Sequence, residues 1–308
     1  MIATVNVDGR ICSEREATVS VFDHGLLFGE GVYETLRTYD RTPFRFAQHL
    51  ARLRASAERI ALVVPFADEE LLERVSATMA AAPLPGEAYV RILLTRGVGD
   101  IVYDPHACPS PTLIIIVKPF VPPSEDTYQN GVKISLVSVV RNHPEAVNPR
   151  IKSNNLLNNA LAMQEAYKRG AFEALMRNYR GEISECAQSN FFLVRDGKVL
   201  TPPLEAGILP GITRGFVFEL GRQLRLPVHE TTLHYADLPL ADEAFLTSTT
   251  REIVPIVMID DLTIGTSRPG PITQRLLWTF REQTRLAGPH SATGSSAYVS
   301  TGGQTHIT

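Results

Sequence analysis

The 308 residues predict an α+β chain in two domains, on three observations. Strand and helix signals alternate through both halves of the chain. Three prolines fall within Lys118-Pro-Phe-Val-Pro-Pro-Ser-Glu-Asp126, where a residue without an N–H and with a fixed φ continues neither strand nor helix easily. The length suffices for two domains of ordinary size, although length alone does not exclude one large domain. The resulting division is a small N-terminal domain at 1–118, a connection at 119–130, a larger domain at 131–287 and a tail at 288–308.

Each element has its own signal. Thr4–Val7 and Arg10–Ile11 flank Asp8-Gly9, a hairpin turn dipeptide. Leu50, Leu53, Ala57 and Ile60 recur at helical spacing and predict a helix over His49–Ile60. Asp68–Ala80 predicts another, opened by acidic residues that suit a positive helix N-terminus. Ala88–Leu94 and Thr112–Val117 read as buried strands rich in Val, Ile and Leu. After the proline-rich break come a strand at Lys133–Val140, an irregular stretch to Arg150, and a helix from about Asn154 to Arg169, stopped by Gly170. Hairpins are expected at Arg180-Gly181 and Asp196-Gly197, and a helix at Gly215–Leu224 opened by Pro210-Gly-Ile-Thr-Arg214. Strands near Phe245–Leu246 and Ile256–Ile259 and a helix over Ile272–Arg285 complete the domain. The Ser-, Thr- and Gly-rich tail has few apolar anchors and is expected to be disordered.

Composition narrows the partners. With 30 basic and 33 acidic residues, a net charge of −3 and no concentrated basic run, neither nucleic acid nor an anionic membrane surface is the expected partner. Runs such as Leu113–Val117 are too short to span a bilayer. Cys12, Cys108 and Cys186 form neither a zinc pattern nor a disulfide framework, and the N-terminus has no apolar signal core. The expectation is a soluble cytoplasmic protein without a metal. His106 and Cys108 lack a second ligand pair and read as loop residues; Gly29-Glu-Gly31 lacks the third glycine of a dinucleotide motif. His24 reads as a structural residue of the turn before Gly25, and His49 as a helix-start residue.

Lysine is scarce: 25 of the basic residues are Arg and five are Lys. Lys152 lies in Asn148-Pro-Arg-Ile-Lys-Ser-Asn-Asn-Leu-Leu157, ahead of a predicted helix. Alone it reads as a surface lysine, but a cation before a helix N-terminus opposes the dipole and suggests another role. A lysine that forms an imine must spend time neutral, which burial or nearby positive potential achieves. In Gly181-Glu-Ile-Ser-Glu-Cys-Ala-Gln-Ser-Asn-Phe-Phe192, the apolar sequence after Glu185 favours an inward carboxylate, which needs a partner. Ile212 and Thr213 open a helix, Ser248 and Thr249 offer hydroxyls at a strand end, and Arg52 lies on a helix; each suits a phosphate, and each alone is weak.

Taken in chain order, these pieces resemble the class IV aminotransferases, the branched-chain and D-amino-acid aminotransferase group. The resemblance rests on His49-Leu-Ala-Arg-Leu-Arg-Ala-Ser-Ala57, Ile-Lys152-Ser-Asn-Asn-Leu-Leu, Glu185-x-x-x-x-Asn190-Phe-Phe, Leu209-Pro-Gly-Ile-Thr-Arg214 and Thr247-Ser-Thr-Thr-Arg-Glu-Ile-Val-Pro255. It covers roughly residues 3–285 and implies a fold-type IV subunit of two α/β domains with pyridoxal 5'-phosphate between them, in a homodimer. It implies Lys152 as covalent anchor and acid–base catalyst, Glu185 at the pyridine nitrogen, and Arg52, Ile212, Thr213, Ser248 and Thr249 at the phosphate, with Asn190 beside the cofactor.

For the substrate, Glu87-Ala-Tyr-Val-Arg-Ile-Leu-Leu94 resembles the branched-chain enzymes, with Arg91 helping to receive the substrate carboxylate, and Arg37 and Phe28 fall on matching positions. Leu157 stands where those enzymes usually carry Tyr, whereas Tyr33 and the Lys-Ser-x-Asn-Leu-Leu run are like D-amino-acid aminotransferases. The Arg/His pair usual in the latter is absent from Arg96–Tyr103. The order of readings is transfer from branched-chain L-amino acids to 2-oxoglutarate, then a D-amino-acid or (R)-amine transaminase, then an aminodeoxychorismate lyase, and last a cofactor-binding protein without turnover.

Overall fold

The computed structural model describes residues 3–286, so the expectation for the tail lies outside the described residues. Two sheets organise the chain. The first is six-stranded: β1 (Thr4–Val7), β2 (Arg10–Ser13), β3 (Gly31–Tyr39), β4 (Thr42–Pro43), β5 (Ala88–Thr95) and β6 (Thr112–Pro119), in the order β2-β1-β6-β5-β3-β4. Its helices are α1 (His24–Leu27), α2 (Phe46–Glu58) and α3 (Asp68–Ala81). Leu50, Leu53 and Ala57 of α2 and Leu71 and Val75 of α3 share one core with Leu36, Ile92 and Ile115. The outer face of β3 and β5 is left for other use.

The second sheet has nine strands. They are β7 (Val132–Leu136), β8 (Ala174–Arg177), β9 (Ile183–Cys186), β10 (Asn190–Arg195), β11 (Lys198–Thr201), β12 (Val228–Glu230), β13 (Glu243–Ser248), β14 (Glu252–Ile259) and β15 (Leu262–Thr263). With it go α4 (Glu125–Gln129), α5 (Leu157–Lys168), α6 (Ile212–Leu224) and α7 (Pro271–Leu286). Residues of α6 and α7, Phe216 and Phe280 among them, join the core formed by Phe192 and Phe245, whose rings stack at 4.7 Å.

The structure adds to or departs from the sequence reading at three points. The connection at 119–130 contains α4, whose first turn carries Glu125 and Asp126, as a helix N-terminus favours. The helix expected from Asn154 begins at Leu157, because the residues before it pair with β3 instead: Tyr33 N–H donates to Lys152 O (2.9 Å) and Asn154 N–H to Gly31 O (3.0 Å). Finally, β3 was not anticipated. Its inward positions include Glu34, a buried charge that interrupts the apolar alternation by which strands are read.

Candidate active site

Lys152 sits in an extended segment clipped to the first sheet. Besides the bond from Tyr33, its own N–H donates to Ser56 Oγ on α2 (3.1 Å). With the backbone held on both sides, Nζ lies 4.6 Å from the centre of the Tyr33 ring. Lys152 thus stands five residues before α5, and the helix-dipole argument for it does not apply.

Glu185 approaches from the second sheet, within β9. One oxygen accepts from Arg141 Nε (2.9 Å), the other from Asn190 Nδ2 (3.1 Å) and the Leu209 N–H (3.0 Å). Burial pushes this carboxyl above its usual range, against the opposing pull of Arg141, the Leu209 N–H and Lys152. A further positive charge at this point would favour the ionised form. Asn190 Nδ2 also donates to Leu209 O (3.0 Å), tying β10 to the turn ahead of α6. That turn passes so close that a Cβ on Gly211 would lie 1.9 Å from Asn190 Oδ1, so only glycine is accommodated without movement.

Beyond the turn, α6 starts at Ile212 with no side chain capping it. The first amide to make a bond within the helix is that of Gly215, to Gly211 O (2.9 Å), so the earlier N–H groups point outward toward any anion. Arg52 faces the same point and donates from Nη1 to Pro210 O (3.0 Å). Its other edge is fixed by Glu34, which takes Nε at 2.7 Å and Nη2 at 2.8 Å. His49 Nδ1 lies 2.6 Å from the same carboxylate. Burial would raise the Glu34 pKa, yet Arg52 and His49 hold it far below the ordinary carboxylate range. His49 is therefore a positioning contact within the first turn of α2, and His24, bonded to Glu30 and Asp100 O, is structural as expected.

These groups line one cleft of about 500 Å³, within the range of small-molecule sites. Lys152, Glu185, Arg52, Asn190, Ile212 and Thr213 face it, as do Ser248 at the end of β13 and Thr249 just after it. Arg91 and Tyr33 form part of its wall, with the Arg91 guanidinium 4.0 Å from the Tyr33 ring centre. Among the described residues no carboxylate pairs with Arg91.

Two predicted substrate residues do not line it. Arg37 is one step further along the sheet and is captured by Glu252, Nη1 to Oε1 at 3.0 Å. Phe28 packs on His24 (4.8 Å) and Tyr103 (5.0 Å) at the turn after α1. Leu157 is exposed rather than turned into the cleft. Sequence reasoning missed Arg141 and Glu34. Arg141 stands in an irregular stretch with no period to mark it; Glu34 was detectable as a lone charge among the inward positions of a strand.

The profile of amino-transferase class IV matches residues 31–259, and the chain belongs to that family. It is 38% identical over 278 residues to a putative branched-chain-amino-acid aminotransferase of Methanocaldococcus jannaschii, spanning 90% of this chain and 95% of that protein. It is 35% identical over 289 residues to the D-alanine aminotransferase of Listeria monocytogenes, spanning 92% and 97%. The branched-chain amino acid aminotransferase of Thermobaculum terrenum in its pyridoxal-phosphate form superimposes with a TM-score of 0.82 at 31% identity, covering 92% of this chain and 94% of that one. The fold is therefore type IV, α+β, and the chain is a class IV transaminase whose cofactor is pyridoxal 5'-phosphate. The cleft fits that group: an amine at Lys152, a buried carboxylate at Glu185, and an amide and hydroxyl cradle opposite Arg52. The Thr247 hydroxyl, buried beside the cradle, has no hydrogen-bond partner among the described residues.

Among the described residues no helix is long and apolar enough to cross a membrane.

Proposed function

We propose that the chain moves the amino group of a branched-chain L-amino acid to 2-oxoglutarate. The observation that carries this reading is Arg91: a cation stacked on Tyr33, whose ring also lies beside Lys152, with no carboxylate partner among the described residues. A substrate monocarboxylate supplies what it lacks. Bound pyridoxal phosphate supplies the electron sink for the donor's Cα. Lys152 Nζ would hold it covalently, and the same amine, when free, would be the group that moves the Cα proton. Glu185 holds a proton at the pyridine nitrogen, oriented by Arg141 and Asn190. Arg52, the amides of Ile212 and Thr213, and the hydroxyls of Ser248 and Thr249 hold the phosphate. Tyr33, its ring over the lysine, takes the place near the cofactor that the outward-facing Leu157 leaves to it.

The two-domain division at 119–130, the homodimer and the cytoplasmic location are part of the same proposal. Supporting the dimer, Phe22, Leu26, Val98, Ile101 and Tyr103 expose a joined apolar surface around Phe28. Gly29, at φ +71°, brings this turn against Asn155 of the cleft wall. A second copy covering that surface gives Phe28 a place near a substrate.

The D-amino-acid or (R)-amine reading keeps a specific point in its favour, since the Tyr33 ring lies beside Lys152 while Leu157 does not line the cleft. Half-reaction rates with L-leucine, L-valine, D-alanine and (R)-1-phenylethylamine separate the two. Branched-chain L-amino acids should convert the cofactor fastest. Faster conversion by D-alanine than by either would reverse the order. A spectrum unmoved by all four, with pyruvate released from aminodeoxychorismate, would favour the lyase.

A further inference from the structure

The turn that carries Ser248 and Thr249 is held by two charged arms. Inside its own sheet, Arg251 reaches the buried carboxylate of Glu173 and donates to Gln188 Oε1 (3.0 Å), while Tyr128 Oη donates to Arg251 O (3.2 Å). The other arm crosses to the first sheet. Glu252, 5% exposed, pairs with Ser248 in the β13–β14 register and so closes the turn. Its Oε1 accepts from Arg37 Nη1 (3.0 Å) and Tyr39 Oη (3.1 Å), both on β3; its Oε2 accepts from Arg281 Nε of α7 (2.8 Å). Arg37 is in turn flanked by aromatic rings, its guanidinium 4.1 Å from the centre of Tyr39 and 4.0 Å from that of Phe120.

Backbone conformation singles out the same residue. Glu252 has φ +57°, a region that a side-chain-bearing residue occupies at a cost unless its surroundings fix it. The surroundings here are three donors on one carboxylate, two of them from the opposite sheet. The arrangement explains why Arg37 does not line the cleft: its charge is committed elsewhere. A buried ion pair with this many bonds contributes little net stability but penalises any other arrangement of its elements.

We infer that Arg37 and Glu252 form a clasp between the two sheets that positions the Ser248–Thr249 turn for the cofactor phosphate. Both are positioning residues. The inference rests on the proposed phosphate role of that turn. Breaking the clasp frees the turn without removing any group that touches the reacting atoms. Cofactor retention suffers first, while turnover at saturating cofactor is nearly kept.

The test is equilibrium dialysis of holoenzyme to obtain the dissociation constant of pyridoxal phosphate, with kcat at saturating cofactor measured alongside. Arg37→Met and Glu252→Gln should each weaken cofactor binding about tenfold or more, the range expected for coupled buried contacts, with kcat within about threefold. The double variant should be no weaker than the worse single variant, and Arg37→Lys should recover most of the loss. Unchanged cofactor affinity in Arg37→Met, multiplied effects in the double variant, or a fallen kcat with unchanged affinity would each overturn the clasp. Should Glu252→Gln not fold, Arg37→Met and its rescue by lysine decide the matter. Wild-type protein that takes up no pyridoxal phosphate would bring down the functional reading beneath it, a result distinct from all of these.

Discussion

The two ends of the cleft are built on different terms. Where the cofactor's ring and phosphate are expected, each buried charge already has its partner within the chain: Arg52 with Glu34, and Glu185 with Arg141. At the other end Arg91 lies on an aromatic ring with no carboxylate partner among the described residues, and the turn around Phe28 opens onto exposed apolar residues. The first end is completed by the fold itself, and so has one meaning. In the proposed function the second is completed by a substrate and by another subunit, so a single chain leaves it open to several donors.

The comparison can be broken first at its rigid end. Glu34→Gln should destabilise the protein by about 3–5 kcal/mol, because it leaves the buried Arg52 guanidinium without its counter-charge. The sign with pH follows from the depressed pKa of Glu34. Its contribution is present in full above the ordinary carboxylate value of 4.5 and is lost as pH falls below it. Urea midpoints measured from pH 7 to pH 3 should therefore drop less in Glu34→Gln than in wild type. Parallel curves would mean that Glu34 is not a charged anchor.

Next in size, Glu185→Gln should keep the fold and the cofactor but raise the barrier to Cα proton removal by about 2.7–4 kcal/mol, the usual scale for one lost electrostatic contact. Single-turnover rates read this directly. A rate equal to wild type would remove Glu185 from the pyridine nitrogen.

How legible these ends were in the sequence follows the same division. Lys152, Glu185 and Arg52 stand in runs long enough to resemble a family together, and all three face one cleft. The helices of the first half were readable because Leu50, Leu53 and Ala57 keep a helical period on a buried face. What escaped has a physical reason in each case. Glu34 broke the alternation of β3, and Asn154 spends its hydrogen bonds on Gly31 and Gly25 rather than on a helix. Arg37 matched a substrate position by alignment of motifs, yet its direction depends on Glu252, 215 residues away. Spacing in a sequence carries no information about such distant capture.

A smaller effect sharpens the open end. Arg91→Ala should raise KM for L-leucine by about 10–100-fold, in line with losing one charged hydrogen-bonded contact, and leave any activity on a simple (R)-amine nearly intact. Equal losses with both donors would indicate that Arg91 supports the Tyr33 ring rather than the carboxylate.

The central claim is that the chemistry is anchored at Lys152, one of only five lysines in the chain. Borohydride reduction of the holoenzyme followed by peptide mapping tests it most directly. The account predicts cofactor on the peptide containing Lys152 and no labelling in Lys152→Ala, which should remain folded but lose turnover by at least the 10²–10⁴-fold that proton transfer by a positioned side chain typically contributes. Label on Lys118, Lys133, Lys168 or Lys198 instead, or undiminished label in Lys152→Ala, would contradict it.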